Sequence, residues 1–342
     1  MKIYPIIRAF LFRLNPEYAH KLTLSAVRLA GEIRPVSALL RSIYHAPACP
    51  IHAFGLDFVN PIGLAAGYDK DGIGWRGLAS LGFSHIEIGT VTPKPQPGNP
   101  KPRLFRIPEE EALINRMGFP GMGALFVKQQ ISKPHPKNLV LGVNIGKNKD
   151  TSLETADQDY LYLLRFFADQ ADYLTINVSS PNTVGLRQLQ ERRALDHLLK
   201  LLATEREQIY QKSSRKIPIL VKLSPDLTDA QLEGALDAIL VNRMDGVIAT
   251  NTTLSRDGVN SPRASQDGGL SGKPLFERSL AMVGKVHKYT NGNLPVIGVG
   301  GISNANGVQK MMDAGAVLVQ LYTGLIYMGP GLVKRILRDL RR

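Results

Sequence analysis

IPILVKLSP, residues 217–225, is a β-branched, apolar run with no alternating polar face, closed by a lysine, a serine and a proline. A strand with one wet face alternates polar and apolar residues, whereas a parallel strand covered on both faces does not. Seven other stretches share this character: PIGLAAG (61–67), HIEIGT (85–90), LVLGVNIG (139–146), YLTINVSS (173–180), GVIATNTT (246–253), LPVIGVGG (294–301) and AVLVQLYTG (316–324). Helical patterns fill the gaps between them, as at residues 195–210, 229–241 and 304–314. Strand and helix repeated eight times predict an α/β fold closed as a (β/α)₈ barrel. An open doubly wound sheet is the alternative left by the pattern alone. The chain has 342 residues, which suits one barrel of about 250 residues with an extension.

In such a barrel, chemistry gathers at the carboxyl ends of the strands. Here each apolar run ends in polar or glycine residues: Lys70, Thr90, Asn144, then Asn177 with Ser179 and Ser180, Lys222, Thr250 with Asn251 and Thr252, glycines after the seventh run, and Tyr322 with Thr323. A single such residue is an ordinary loop or cap residue; the repetition over all eight runs points to a site. GVGGI (298–302) and YTG (322–324) fall after the seventh and eighth strands, where barrels commonly bind phosphate through backbone N–H groups. GGLSG (268–272) reads as a further flexible approach. Neither GxxxxGK[ST] nor GxGxxG occurs, so a mononucleotide with one phosphate fits better than ATP or a dinucleotide.

Lys222 lies mid-barrel with no acid beside it on its strand, and a buried ammonium needs an anionic partner. A reduced flavin would supply one; an ion pair with a distant carboxylate such as Asp226 is the plain alternative. The other candidates (Asn115, Asn177, Asn182, Asn251, Ser180, Thr252 and Lys70) lack histidine and are poor in acids. Amides donate and accept together, which matches a cyclic ureide or pyrimidine edge, and Lys70 can meet a carboxylate. None of the seven histidines forms a ligand-spaced pair in these loops, so no metal site is expected.

The first 45 residues differ in character from residues 46–342. Ile3, Ile6, Ile7, Phe10, Leu11 and Leu14 make one helical stripe, and Asn15-Pro16-Glu17 carries the start signals of a second helix. Tyr18, Leu22, Ala26, Leu29 and Ile33 continue on one face, and Val36, Leu39, Leu40 and Ile43 form a third stripe after Pro35. Lys2, Arg8, Arg13, Lys21, Arg28, Arg34 and Arg41 oppose only Glu17 and Glu32 there. Basic amphipathic helices suit an anionic bilayer surface; helices that merely cap the barrel are the equal alternative. The whole chain carries a formal charge of +13, compatible with nucleic acid, a membrane surface or an anionic small ligand. No secretory signal or membrane-spanning stretch is read from residues 1–17 or beyond. Cys49 is the only cysteine, which excludes an intrachain disulfide, a CxxC metal site and an iron–sulfur cluster, and it reads as an incidental thiol in a reducing compartment.

Together, NPIGLAAGYDKDG (60–72), IEIGTVTPKPQPGNPKPRLFR (86–106), INRMGF (114–119), NIGKNKD (144–150), INVSSPNT (176–183), VKLSPDL (221–227), ATNTT (249–253), GGLSGKPL (268–275) and IGVGGI (297–302) resemble the class 2, quinone-dependent dihydroorotate dehydrogenases. The likeness runs from the N-terminal helices to the last strand. It implies oxidation of dihydroorotate to orotate in pyrimidine (UMP) biosynthesis, with flavin mononucleotide (FMN) as cofactor and a membrane quinone as acceptor. By the same resemblance FMN contacts Ala66, Gly67, Tyr68, Asp69, Lys70, Thr90, Asn144, Asn177, Lys222, Thr250, Gly272, Gly301, Tyr322 and Thr323. The substrate contacts Lys70, Asn115, Arg116, Met117, Gly118, Phe119, Asn177, Asn182, Asn251 and Thr252. Ser180 is the base, with Thr183 and Phe119 organising its proton relay; class 1 members carry cysteine at that position. His20, Arg106 and Tyr322 match positions along the family's quinone tunnel. Val184, where a proline is usual, and Pro120-Gly121 depart from the pattern. The resemblance further implies a bacterial protein on the cytoplasmic face of the inner membrane, attached peripherally through residues 1–45, and no nucleic-acid partner. A tRNA dihydrouridine synthase is the rival enzyme, though its usual cysteine base is missing, and a non-catalytic surface-binding scaffold is the rival outside enzymology.

Overall fold

A computed structural model describes residues 3–341 of the chain; Lys2, counted above among the basic residues, lies outside them. Three N-terminal helices come first: α1 (Tyr4–Arg13), α2 (Pro16–Glu32) and α3 (Arg34–Ile43). Eight parallel strands then close a barrel: β1 (Ile62–Leu64), β2 (His85–Val91), β3 (Val140–Ile145), β4 (Tyr173–Asn177), β5 (Ile219–Leu223), β6 (Gly246–Ala249), β7 (Val296–Val299) and β8 (Ala316–Leu321). Each pairs with its sequence neighbours, and β8 closes onto β1 through Val319 opposite Ile62. Seven lie within the runs read as strands and β2 ends one residue beyond its run, at Val91, because buried parallel strands leave a continuous apolar signature. The open sheet is thereby excluded.

Helices at Arg192–Ser213, Asp229–Val241 and Ala305–Asp313 occupy the predicted gaps. Their starts follow local chemistry: Thr228 and Gln231 form a reciprocal capping box, and the Asn304 side chain accepts from Gly307 N–H at 2.8 Å. A hairpin, Ile51–Ala53 with Leu56–Phe58, lies against the amino ends of the strands, where Phe58 packs on the His85 ring at 5.4 Å. With Val140, Tyr173, Leu220 and Ile297, it makes that end of the barrel solid core.

One stretch departs from expectation. GGLSG is not a loose approach: Gly269–Gly272 is a strand antiparallel to Ala112–Asn115, which in turn pairs with Leu104–Ile107. Short segments 154 residues apart have no local period to reveal their pairing. Gly268 enters this strand at φ +120°, and a Cβ there would meet the Asn115 carbonyl at 2.3 Å, so only glycine fits.

The helical extension packs on the barrel with only part of its apolar surface. Of the predicted stripe, Tyr18, Leu22 and Leu29 of α2 and Ile33 just after it are 42–59% exposed, Ala26 lies along a cavity between α2 and the barrel, and Ala19 and Leu24 turn inward. The contact with the barrel is instead made by close backbone approach, since a Cβ on Gly77 would come within 1.9 Å of the Val27 carbonyl. In α1, Ile6 and Phe10 are 72% and 60% exposed, and in α3 Leu39 is 59% exposed. Each of the three helices thus carries apolar residues that the barrel does not cover, and no described helix is long and apolar enough to cross a membrane.

Glu17 of α2 ties the extension to the barrel through Arg103, whose Nη2 and Nε donate to its two oxygens at 2.8 and 3.2 Å. The Arg103 guanidinium holds the Glu17 carboxyl below its ordinary value of 4.5. A lowered folded-state value contributes stability above the unfolded value, lost as pH falls through the lowered one. Arg103→Ala is therefore expected to loosen α2 by about 1–3 kcal/mol. Limited proteolysis of residues 3–43 should accelerate at neutral pH, and by less in acid; pH-independent acceleration would contradict the ion-pair account.

Candidate active site

At the carboxyl ends of the strands one cavity collects side chains from the whole ring. Lys70 follows β1, Thr90 belongs to β2, Asn177 ends β4, Lys222 lies in β5, and Thr250, Asn251 and Thr252 follow β6. Gly301 follows β7, Tyr322 and Thr323 follow β8, and Ala66 and Gly67 complete the rim. The antiparallel sheet brings Asn115 and Gly272 over it, and Met117, Gly118 and Phe119 follow. Ser180 and Asn182 enter from the loop after β4.

The amides form a connected chain. Asn177 Nδ2 donates to Asn144 Oδ1 at 3.1 Å and to Thr90 Oγ1 at 2.8 Å, and Asn251 Nδ2 donates to Asn177 Oδ1 at 3.3 Å. Asn182 Nδ2 donates to Asn115 Oδ1 at 3.2 Å. Ser180 is 5% exposed, and its Oγ accepts from the Asn182 N–H at 3.3 Å; among the described residues it has no hydrogen bond to histidine or a carboxylate. Thr183 Oγ1, three residues on, is buried without a partner.

The two lysines differ in support. Lys70 Nζ donates to the Gly67 carbonyl at 2.5 Å, and burial pushes its ammonium down to about 8. Lys222 is pulled down by burial too, opposed by Glu87, whose Oε1 is 3.8 Å away. No hydrogen-bond acceptor for the Lys222 ammonium occurs among the described residues, although it faces the cavity. The distant carboxylate of the ion-pair alternative is therefore Glu87, while Asp226 pairs with Arg187 at 2.9 Å.

At the rim after β7 and β8, glycine is dictated by space. A Cβ on Gly301 would lie 2.6 Å from Phe276 Cβ, and one on Gly324 would lie 2.2 Å from the Ile302 carbonyl. The Gly301 N–H makes no backbone hydrogen bond among the described residues. Ser271 and Thr323 hydroxyls meet nearby at 2.9 Å.

A second, mainly apolar cavity of about 290 Å³ separates α1 and α2 from the barrel. Phe12, Ala19, Val27 and Leu113 line it, with His20 and Arg106. Arg106 stacks over the Phe12 ring at 4.8 Å and donates to the carbonyls of Leu11, at 3.0 Å, and Leu14. Burial, reinforced by Lys70, lowers His20 to about 4. The His20 ring packs edge-on to Tyr68 at 5.2 Å, and Tyr68 to Tyr322 at 5.7 Å. Tyr322 lines both cavities.

The family model described as dihydroorotate dehydrogenase matches residues 50–342, the hairpin and the entire barrel. The chain belongs to the dihydroorotate dehydrogenase family. Curated relatives named dihydroorotate dehydrogenase (quinone) are 47% identical: one from Burkholderia cenocepacia over 99% of this chain and 98% of its own, another from Edwardsiella ictaluri over 98% and 99%. The crystal structure of an Eimeria tenella DHODH in complex with ferulenol superposes with TM-score 0.84 at 35% identity, covering 95% of this chain and 90% of that one. The likeness to the curated relatives spans 98–99% of this chain and so includes α1–α3, which supports membership of the quinone-dependent class.

Against this dihydroorotate dehydrogenase frame, four expected contact residues point elsewhere. The Tyr68 side chain faces the apolar cavity. The Asp69 carboxylate is buried, accepting from Ile73 and Gly74 N–H groups at 2.9 and 2.8 Å, and so shapes the loop after β1. The Arg116 guanidinium turns outward onto the Phe105 ring at 4.7 Å. Asn144 is fully buried one layer beneath the cavity. Of the two departures from the family pattern, Val184 is 88% exposed and packs on nothing, while Gly121 is held by paired backbone bonds to Gln96, both 3.0 Å. Two residues in the barrel interior escaped the sequence reading: Glu87 and Gln320. The single acid of HIEIGT and the single amide of AVLVQLYTG were the available signal.

Proposed function

We propose that the chain oxidises (S)-dihydroorotate to orotate with FMN as cofactor and a membrane quinone as final acceptor, in the de novo route to UMP. The observation that carries this reading is that Lys70 after β1, Ser180 after β4 and Lys222 in β5 face one amide-lined cavity whose wall, Tyr322, is shared with an apolar one. The donor set fits the cofactor: a buried ammonium at Lys222 without an acceptor, and an unengaged Gly301 N–H beside the Thr323 hydroxyl. Gly301, Thr323 and Gly324 would hold its phosphate, Lys222 the electron-rich edge of its ring, and Ala66, Gly67 and Thr90 its rim.

FMN, when bound, supplies the hydride acceptor for substrate C6. Ser180 takes the C5 proton and passes its own hydroxyl proton on, toward the unpartnered Thr183 hydroxyl or water. Lys70 binds the substrate carboxylate, and Asn115, Asn177, Asn182 and Asn251 offer donors and acceptors to the ring's alternating N–H and C=O groups. Because these amides already hydrogen-bond one another, they are oriented before substrate arrives.

The second cavity is read as the quinone entrance, with His20, Arg106 and Tyr322 along it. The uncovered apolar residues of α1–α3, with the basic ones, are read as a peripheral dock on the cytoplasmic leaflet of a bacterial inner membrane. Ala19→Phe should partly fill the entrance. Quinone-dependent turnover is expected to fall severalfold while single-turnover reduction by dihydroorotate is unchanged. Equal losses in the two half-reactions would contradict the entrance. In steady state, turnover with dihydroorotate should require a quinone; equal rates with fumarate or NAD would overturn the assigned acceptor.

A further inference from the structure

Glu87 is fully buried inside the barrel, in the middle of β2, and plays no part in the mechanism above. Five groups from four other strands converge on it. Oε1 accepts from Asn144 Nδ2 at 2.8 Å and lies 3.8 Å from the Lys222 ammonium. Oε2 accepts from Gln320 Nε2 at 3.0 Å, Thr175 Oγ1 at 3.1 Å and Tyr173 OH at 3.2 Å. A carboxylate only accepts, whereas an amide has a donating and an accepting end. Asn144 must therefore turn its NH₂ toward Glu87, leaving Oδ1 for Thr90 Oγ1, at 2.5 Å, and Asn177 Nδ2. Asn177 is then fixed with Oδ1 toward Asn251 Nδ2 and the Ser179 hydroxyl, at 3.3 and 3.2 Å. Asn251 in turn presents Oδ1 to the Thr252 N–H at 2.8 Å. One buried acceptor thus sets the direction of Asn144, Asn177 and Asn251, from the barrel floor toward the mouth.

We propose that Glu87 is a positioning residue: it fixes which end of Asn144, Asn177 and Asn251 each faces the site, and it offsets the charge that Lys222 presents to the cofactor. The inference rests on the flavin reading of the preceding section. Two consequences are separable. Loss of the carboxylate leaves Lys222 uncompensated next to the ring, which favours the reduced, electron-rich cofactor. Loss of its acceptor geometry frees the amide chain to invert, which weakens substrate binding.

The test uses the full-length holoprotein. Glu87→Gln keeps the shape and removes the charge; its bound-flavin midpoint potential is expected to rise by about 30 mV or more, a tenfold shift for a two-electron couple. Tyr173→Phe removes one donor and keeps the charge, so its potential should match the parent protein. A role confined to packing would lower the melting temperature of both variants and leave both potentials alone. A Glu87→Gln potential within twofold of the parent's reduction equilibrium overturns the proposal. Should Glu87→Gln fail to retain flavin, Glu87→Asp decides: it keeps the charge but withdraws from Asn144, and KM for dihydroorotate should rise at least fivefold with kcat less affected. An unchanged KM overturns the proposal. A parent protein that binds no flavin would count against the proposed function, not against Glu87.

Discussion

In the Ser180→Ala protein, flavin is expected to stay bound and its reduction by dihydroorotate to slow by about two to four orders of magnitude, the range a positioned general base contributes. The physical reason lies in what surrounds Ser180. Its Oγ accepts a single backbone N–H, from Asn182, and no histidine or carboxylate among the described residues is hydrogen-bonded to it. In the proposed mechanism the hydroxyl proton has no strong base hydrogen-bonded to it among the described residues, and Ser180 would act as a link that accepts a proton while surrendering one. Alanine breaks that link without touching Lys222, Gly301 or Thr323, so cofactor affinity should hold. Stopped-flow reduction under anaerobic conditions measures the effect; a rate within a few-fold of the parent would remove Ser180 from the reaction.

The second large effect concerns Lys222. Lys222→Met leaves the Glu87 carboxylate buried with neutral partners, and stranding one member of a buried ion pair costs about 3–5 kcal/mol. The Asn144, Tyr173, Thr175 and Gln320 contacts soften that loss without replacing the charge. Denaturant unfolding of the flavin-free protein reads the stability term by itself. Adding Glu87→Gln to Lys222→Met should recover more than half of it, because the stranded charge is gone. Full loss retained in the double variant would mean that Lys222 acts through packing alone. Flavin affinity should fall in both the single and the double variant, since neither restores the ammonium that faces the cavity.

The fold was legible because its strands are buried on both faces. IPILVKLSP and its seven counterparts carry that burial in composition, and their polar endings mark the mouth of the barrel. The start of α2 was equally readable, since Asn15 accepts from the Glu17 and Tyr18 N–H groups at 3.0 and 3.3 Å in the way its sequence implies. Periodicity located the helical stripes but not what they face: Tyr18, Leu22 and Leu29 point away from the barrel because glycines at 31 and 77 bring α2 against it on another side. The strands over the mouth were hidden because pairing between Asn115 and Gly269 is a long-range property. Glu87 was hidden for a different reason. A strand reading treats a single acid among apolar neighbours as noise, whereas the closed barrel turns it inward to meet Lys222, which lies three strands away around the ring.

The site residues were mostly legible as chemistry and less so as direction. Lys70, Asn177, Ser180, Lys222 and Thr252 meet in one cavity, while Tyr68, Asp69 and Arg116, on the same loops, turn their side chains away from it. Loop residues adjacent in sequence diverge according to which N–H groups and rings lie beneath them, and a motif alone does not carry that information.

The central claim is that amides, one serine and two lysines from separate strands and the loops after them act together on a dihydropyrimidine beside a bound flavin. Anaerobic titration of the purified protein with dihydroorotate tests it most directly. The account predicts stoichiometric bleaching of the visible flavin absorbance with release of orotate, and recovery of colour on adding quinone. A colourless protein, or a flavin that dihydroorotate leaves oxidised, would contradict it.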